Sequence, residues 1–501
     1  MTRKRKNTTR IALLTALAAA TITACGGGGG GGSNSGSTSD GSSVTSGTVT
    51  ALGSIVVNGR HIETEGPEVE IEQDGKEIDR AEVEEIGKQV RVDEDDDGRR
   101  IEVDETVRGP IDSINSPRLT VMGQTVVTGP DTVFDDSPAS DLGSLAPKDV
   151  VEVSGLRDNS GAIRATHIEK ESTATSDNDE FKLTGKVTNH DTGARTFEIG
   201  GLVINYGILP ATLDELPSGE WNDLVVEVED ANRDYVANSG DQLQATKVER
   251  EDNAGNVVGA EIELERIVTD VDQDNNTFEI GGDRLVSYGN AEFRFGSASD
   301  LVIGLRVEVE GVVRDDGSIR ATKVKFDDNS ARISGTASGI NASEGTLTVL
   351  GVTVRLAADD VEFDNSFDDE LLAGLDDLTE DDFLEIEGRI APNPNGSGSV
   401  TVIAHEIEVD DADQDRELRG TVSAFAADAG TLTLLGIDVK SDGSTRFEGG
   451  DDQPLTRGAF FDRIVLNATV VEAKWDEDGF TGTDDLVKEL SIEDEDEFEN
   501  D

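Results

Sequence analysis

The sequence predicts an all-β protein, built as a tandem array of about six small barrel-like modules behind an N-terminal anchor segment. Three observations carry this. Strict apolar/polar alternation recurs over four to six residues, as in Val307-Glu308-Val309-Glu310, which is the period of half-buried strands. Similar strand sequences return along the chain from copies that start at 47, 109, 185, 266, 335 and 420, and such self-similarity marks an array of like units. Long helical periodicity is scarce; the only short stretches run over 80–88 and 368–382, the latter around Leu371, Leu372, Leu375 and Leu378.

The first 24 residues are a different kind of segment. Arg3, Lys4, Arg5, Lys6 and Arg10 precede an apolar run from Ile11 to Ala20, and Ile22-Thr23-Ala24-Cys25 closes it. This is the plan of a secretory signal peptide, too short for an ordinary spanning helix. Its ending resembles the lipobox of bacterial lipoproteins, which implies lipid attachment at Cys25, the only cysteine of the chain. Cleavage before Cys25 removes five basic residues and no acidic one, taking the net charge from -63 to -68. Several acyl chains, at ~0.8 kcal/mol per buried methylene, hold a protein at a membrane without spanning it. Gly26 follows the Cys, and no Asp stands there to signal inner-membrane retention. The expected place is the cell envelope, the outer membrane before the inner. Residues 25–46 are Gly/Ser-rich and read as a flexible tether of roughly 25 Å.

The modules follow at 47–106, 107–172, 182–252, 258–328, 331–411 and 416–493, with an acidic tail at 494–501. Each copy opens with a glycine before a short strand (Gly47, Gly109, Gly185, Gly335, Gly420), except the fourth, which has Arg266. A hairpin comes next, as in Leu119-Thr120-Val121-Met122-Gly123 and Thr277-Phe278-Glu279-Ile280-Gly281-Gly282. Then comes an alternating strand, Val151-Glu152-Val153-Ser154-Gly155 or Leu384-Glu385-Ile386-Glu387-Gly388, and a closing strand such as Ile319-Arg320-Ala321-Thr322-Lys323-Val324. Turn pairs such as Asn58-Gly59 and Asp316-Gly317 suit tight hairpins. Five or six strands in 60–80 residues remove their edges by closing, so an OB-like barrel is the expected module and a small sandwich the alternative. Modules this small are marginal alone and aromatics are only 4% of the chain, so neighbouring modules are expected to pack together.

The opening Gly, the hairpin, the Val-Glu-Val-x-Gly strand and the Ile-Arg-Ala-Thr-Lys-Val ending together resemble the domain of unknown function 5666, found in tandem in bacterial lipoproteins and secreted proteins. The resemblance covers copies two to six and is best over 107–410. The first copy lacks the closing Gly after Val90-Arg91-Val92-Asp93, and the last lacks Ala-Thr around Leu486 to Leu490. It implies no activity.

Composition excludes some chemistry. A single Cys excludes an intrachain disulfide framework and a thiolate metal cage, and the acidity opposes nucleic-acid binding. Asp270, Asp272 and Asp274 begin like a calcium loop, but Asn275 and Gly281 stand where that loop needs Gly and Glu. They are the only metal candidates, for a weakly bound calcium, and no other cofactor is expected. Asp93 to Asp97 and Asp411, Asp413 and Asp415 read as solvated turns and linker. His61, His167, His190 and His405 read as exposed strand residues, Trp221 and Trp475 as core. No catalytic residue is assigned. The expected role is a non-enzymatic envelope lipoprotein that binds an extracellular protein, glycan or cation. The competing class is a hydrolase with carboxylates between modules, for which a converging polar pocket with perturbed carboxylates would speak.

Overall fold

The computed structural model describes residues 42–492 except 52–53, 74, 96–97, 130–131, 135–141, 172–179, 209–210, 237–241, 252–257, 327–330, 358–360, 366–371, 381, 392–399, 411–413, 450–452, 465–468, 477–479 and 481–484. The segment read as a signal peptide, Cys25, most of the stretch read as a tether, Asp96, Asp97, Asp411, Asp413 and the acidic tail lie outside the described residues. The first strand, Ser43–Ala51, already begins inside the stretch read from composition as tether.

The fourth module shows the common plan. Its strands are Glu261–Asp272, Thr277–Ile280, Arg284–Ser287, Arg306–Val313 and Ile319–Phe326. The first pairs antiparallel with the second and fourth, the second with the third, and the fifth runs antiparallel to the fourth and parallel to the third. The ring 1-2-3-5-4-1 is a closed five-stranded barrel of OB type, with a short 3-10 turn, Ala298–Asp300, between the third and fourth strands. The second and fifth modules repeat these pairings. In the third, the first and fifth strands are each broken in two (Phe181–Lys186 with Thr188–Asp191, Leu243–Gln244 with Lys247–Arg250). The helical stretches shrink to Arg80–Val83 and the 3-10 turn Leu375–Asp377. A helix at Arg457–Arg463 in the sixth module adds buried Phe460 and Phe461. Its three-residue apolar pattern was too short to read from sequence. Among the described residues no helix is long and apolar enough to cross a membrane.

The repeated glycines have steric causes. Gly155, Gly311 and Gly388 sit where the fourth strand slips register against the fifth. A Cβ there would run into the carbonyl oxygen of Arg164, Arg320 or Ile403. In the third copy Asp230 holds that place; the chain leaves the ladder, and the Asp230 carboxylate accepts from the amides of Asn232 and Asp234. The opening glycines lie under the hairpin turn. Met122, Leu350 and Leu435 adopt positive φ ahead of Gly123, Gly351 and Gly436, the turn that suits the strand twist. Their side chains rest on Gly109, Gly335 and Gly420.

Closure leaves one edge. The first strand is long and changes partner near the opening position: Glu261 to Ile267 pair with the fourth strand, Val268 to Asp272 with the second. The outer side of its N-terminal half is covered by the first strand of another module. Ala331 to Ser334 pair antiparallel with Glu417 to Gly420, joining modules five and six. Lys182 and Leu183 pair with Arg108 and Val107, joining two and three. Ser43 to Ser46 run parallel to Glu261 to Leu264, joining one and four, which are not neighbours in sequence. The buried apolar residues follow these pairs: one cluster spans modules five and six, one spans two and three, and Val44 of module one lies in the cluster of module four.

Replacing Gly388 by Ala is expected to destabilise the fold by roughly 1–3 kcal/mol, the usual cost of overpacking, read as a lower denaturation midpoint. An unchanged midpoint would contradict the steric role given to this glycine.

Candidate functional site

The pairing of module one with module four, and of two with three, brings four modules around one polar cavity of about 160 Å3. Module one supplies Glu102 and Asp104, module two Arg157, module three Glu227 and Glu251, and module four Arg266. Arg157 donates from Nε to the Thr184 carbonyl (3.2 Å) and from Nη1 to the Gly161 carbonyl (2.9 Å). Burial lowers its guanidinium to about 10, so it stays charged at neutral pH. Arg266 replaces the opening glycine of its copy and reaches across to Ser46 Oγ of module one at 3.0 Å. The one departure from the opening rule is therefore a cross-module contact.

Three of the carboxyls here, Glu102, Asp104 and Glu251, are shifted toward their protonated form. Burial and the Asp104 charge push Glu102 up to about 7. Burial, Asp104, Glu227 and Glu102 push Glu251 up to about 8. Burial raises Asp104 against the pull of Arg266 and Arg91. This meets the electrostatic half of what a carboxylate hydrolase needs. The space does not follow, since about 160 Å3 falls below the ~300–1,000 Å3 of ordinary ligand sites.

A larger concavity, about 930 Å3, is an open groove beside the fourth module. Its walls are the turn Asp272 to Asp274, the segment Leu301 to Leu305 and Ile390 of module five. Ile303 stands 48% exposed, and among the described residues no aromatic ring lines the groove. Arg389 fixes module five here, donating to the Phe295 carbonyl (2.7 Å) and lying 4.4 Å over the Phe326 ring.

The expected calcium residues do not converge. Asp270 and Asp272 end the first strand of module four and Asp274 sits in the turn. Asp272 already accepts from Asn275 N (3.1 Å) and Nδ2 (2.7 Å), and their ligand oxygens form no group of three within 4.8 Å. Trp221 and Trp475 are core residues, 4% and 1% exposed. The reading of the histidines as exposed holds for His61 and fails for two others. His190 is stacked on Trp221 (4.3 Å) and bonded to Tyr206 Oη (2.9 Å). His167 is 3% exposed because module one covers the face of its strand. Glu102, Asp104, Glu251 and Arg157 escaped the sequence reading, since their meeting depends on a non-sequential module pairing; only the misplaced Arg266 signalled it.

Like charges also face one another on the sheets. Glu263 stands opposite Glu310, Glu265 opposite Glu308 and Glu387 opposite Glu406, an unfavourable pairing. Burial together with facing carboxylates lifts Glu263, Glu308 and Glu406 to about 7. A carboxyl raised in the folded state binds protons that the unfolded chain, near ~4.3, releases. Stability should therefore rise as pH falls from about 8 toward about 5. Below that it should fall, because Glu94 and Glu265, held low by arginines despite burial, lose their ionised form. Molar salt at pH 8 should also stabilise the fold by screening. Thermal melts that stay flat between pH 8 and 5, and between low and molar salt, would contradict the opposed-carboxylate reading.

A search of curated proteins finds no match to the chain. The family described as Domain of unknown function (DUF5666) matches residues 108–169, 267–325, 334–408 and 419–480. The matched copies are the second, fourth, fifth and sixth. The sixth, expected to depart, is matched, whereas the third, with its broken strands and Asp230 in the glycine place, is not. These four stretches make up just over half of the sequence, and the chain belongs to the DUF5666 family as a multi-module member of it.

Proposed function

We propose that this is a non-enzymatic envelope lipoprotein, tethered through lipid on Cys25, whose modules form a binding platform for another protein. The observation that carries the binding reading is the groove between modules four and five. It has the volume of a ligand site, aliphatic walls and one well-exposed Ile303. Aliphatic walls without rings suit side chains of a peptide segment better than sugar faces, which favours protein over glycan. The polar rim at Asp272 and Asp274 suits a ligand carrying basic residues. The four-module cavity supports a joining role, since mixed charge lines it and its volume lies below the usual range of ligand sites. The reading rests for its location on the Arg/Lys start, the short apolar run and the Ile-Thr-Ala-Cys ending.

Two measurements test it. Metabolic labelling with a radioactive fatty acid should mark the wild-type protein and not the Cys25→Ser variant, which should leave the membrane fraction; equal labelling would remove the anchor. A photocrosslinking residue at Ile303 should capture a discrete envelope protein, and one at exposed Leu213 should not. Equal or absent capture at both positions would remove the groove as a binding surface.

A further inference from the structure

The seam between modules one and two buries a second group of ionisable side chains, which meets the four-module cavity at Glu105. Glu85 follows the short helix Arg80–Val83, while His167 and Glu169 lie on the closing strand Ile163–Lys170 of module two. One ligand atom from each falls within 4.8 Å of the others. His167 is 3% exposed. Its Nδ1 lies 2.9 Å from the Ile86 carbonyl oxygen, which can only accept, so Nδ1 carries the proton and Nε2 presents a lone pair. That Nε2 is buried without a hydrogen-bond partner and faces Glu85 Oε2 at 3.7 Å, an oxygen that Lys88 Nζ approaches to 3.0 Å from another side. The imidazole lone pair is left unsatisfied, at a cost, unless a proton or a cation stands between it and the carboxylate.

We propose that this seam binds a divalent transition-metal ion of the zinc class, with Glu85, His167 and Glu169 as its ligands. A tetrahedral ion with bonds of ~2.0–2.2 Å spaces its ligand atoms by roughly 3.3–3.6 Å, close to the 3.7 Å between His167 Nε2 and Glu85 Oε2. The Nδ1–H to carbonyl bond is the usual support of a metal-bound imidazole. Lys88 Nζ is the cation now present. It lies 3.0 Å from Glu85, 3.4 Å from Glu169 and 3.5 Å from Glu152. Arg108 is the other cation, in contact with Glu105, Glu152 and Glu171. Five carboxylates thus face two cations. A dication on Glu85, His167 and Glu169 offsets most of the surplus, while Lys88 keeps Glu152.

The test is titration of the full chain with Co2+ as a visible probe, followed by competition with Zn2+. One saturable site is expected, with the absorption of nitrogen- and oxygen-ligated cobalt, lost on adding zinc. His167→Ala should weaken affinity by more than about 100-fold, beyond what loss of a supporting hydrogen bond costs. Glu169→Gln, a conservative change at a partly exposed residue, should weaken it at least about 10-fold with the circular dichroism unchanged. Exposed His61→Ala should leave it as in the wild type. Absence of a saturable site, or equal affinity in the His167→Ala and Glu169→Gln variants, would overturn the proposal, leaving only diffuse attraction of cations to an acidic surface.

Discussion

The structure depends on one leftover strand edge. An OB-type barrel closes by letting its long first strand pair with the fourth strand and then with the second. The outer side of its first half is left with amides and carbonyls that need partners. Every module meets this need in the same way, by laying the first strand against the first strand of another module. A small module gains a continuous sheet, and in two of the three pairs a shared aliphatic core as well. This offsets the weakness of 60–80-residue units with few aromatic side chains.

Pairing has an electrostatic consequence. The alternating Val-Glu-Val pattern that builds the inner core also lines the outer faces with glutamate, and pairing brings these faces together into wider acidic sheets. Lysines and arginines relieve part of the repulsion, as Arg332 does for Glu387 (2.5 Å) and Lys247 for Glu249 (2.6 Å). The remainder shifts facing carboxyls toward their protonated form and is open to screening by salt. Junctions between modules are therefore where the chain is most sensitive to pH and ions. The seam at His167 and the cavity at Asp104 are two instances of the same tension.

Much of the module was legible in the sequence. Alternation gave the strands, and the register of the closing glycines could be read as a pattern, though its cause, a carbonyl oxygen where a Cβ would stand, needed coordinates. What the sequence could not disclose is which modules meet. Ser43 to Ser46 look like tether because they are small and polar, yet they become strand by pairing with Arg91 to Glu94 of their own module on one side and with Glu261 to Leu264, more than two hundred residues away, on the other. His167 looks like an outward strand residue because its burial comes from module one. Arg266 was visible as the exception to the opening-glycine rule, and its reach to Ser46 explains the exception.

Residue-resolved hydrogen exchange tests the shared-edge principle most directly. The outward amides within Ser43–Ser46, Glu261–Leu264, Ala331–Ser334 and Glu417–Gly420 are expected to exchange as slowly as the ladders inside the barrels. Deletion of residues 42–46 should release those of 261–264 and leave 331–334 protected. Rapid exchange at these edges in the intact chain, with the barrel ladders still protected, would show that the modules stand side by side without sharing strands.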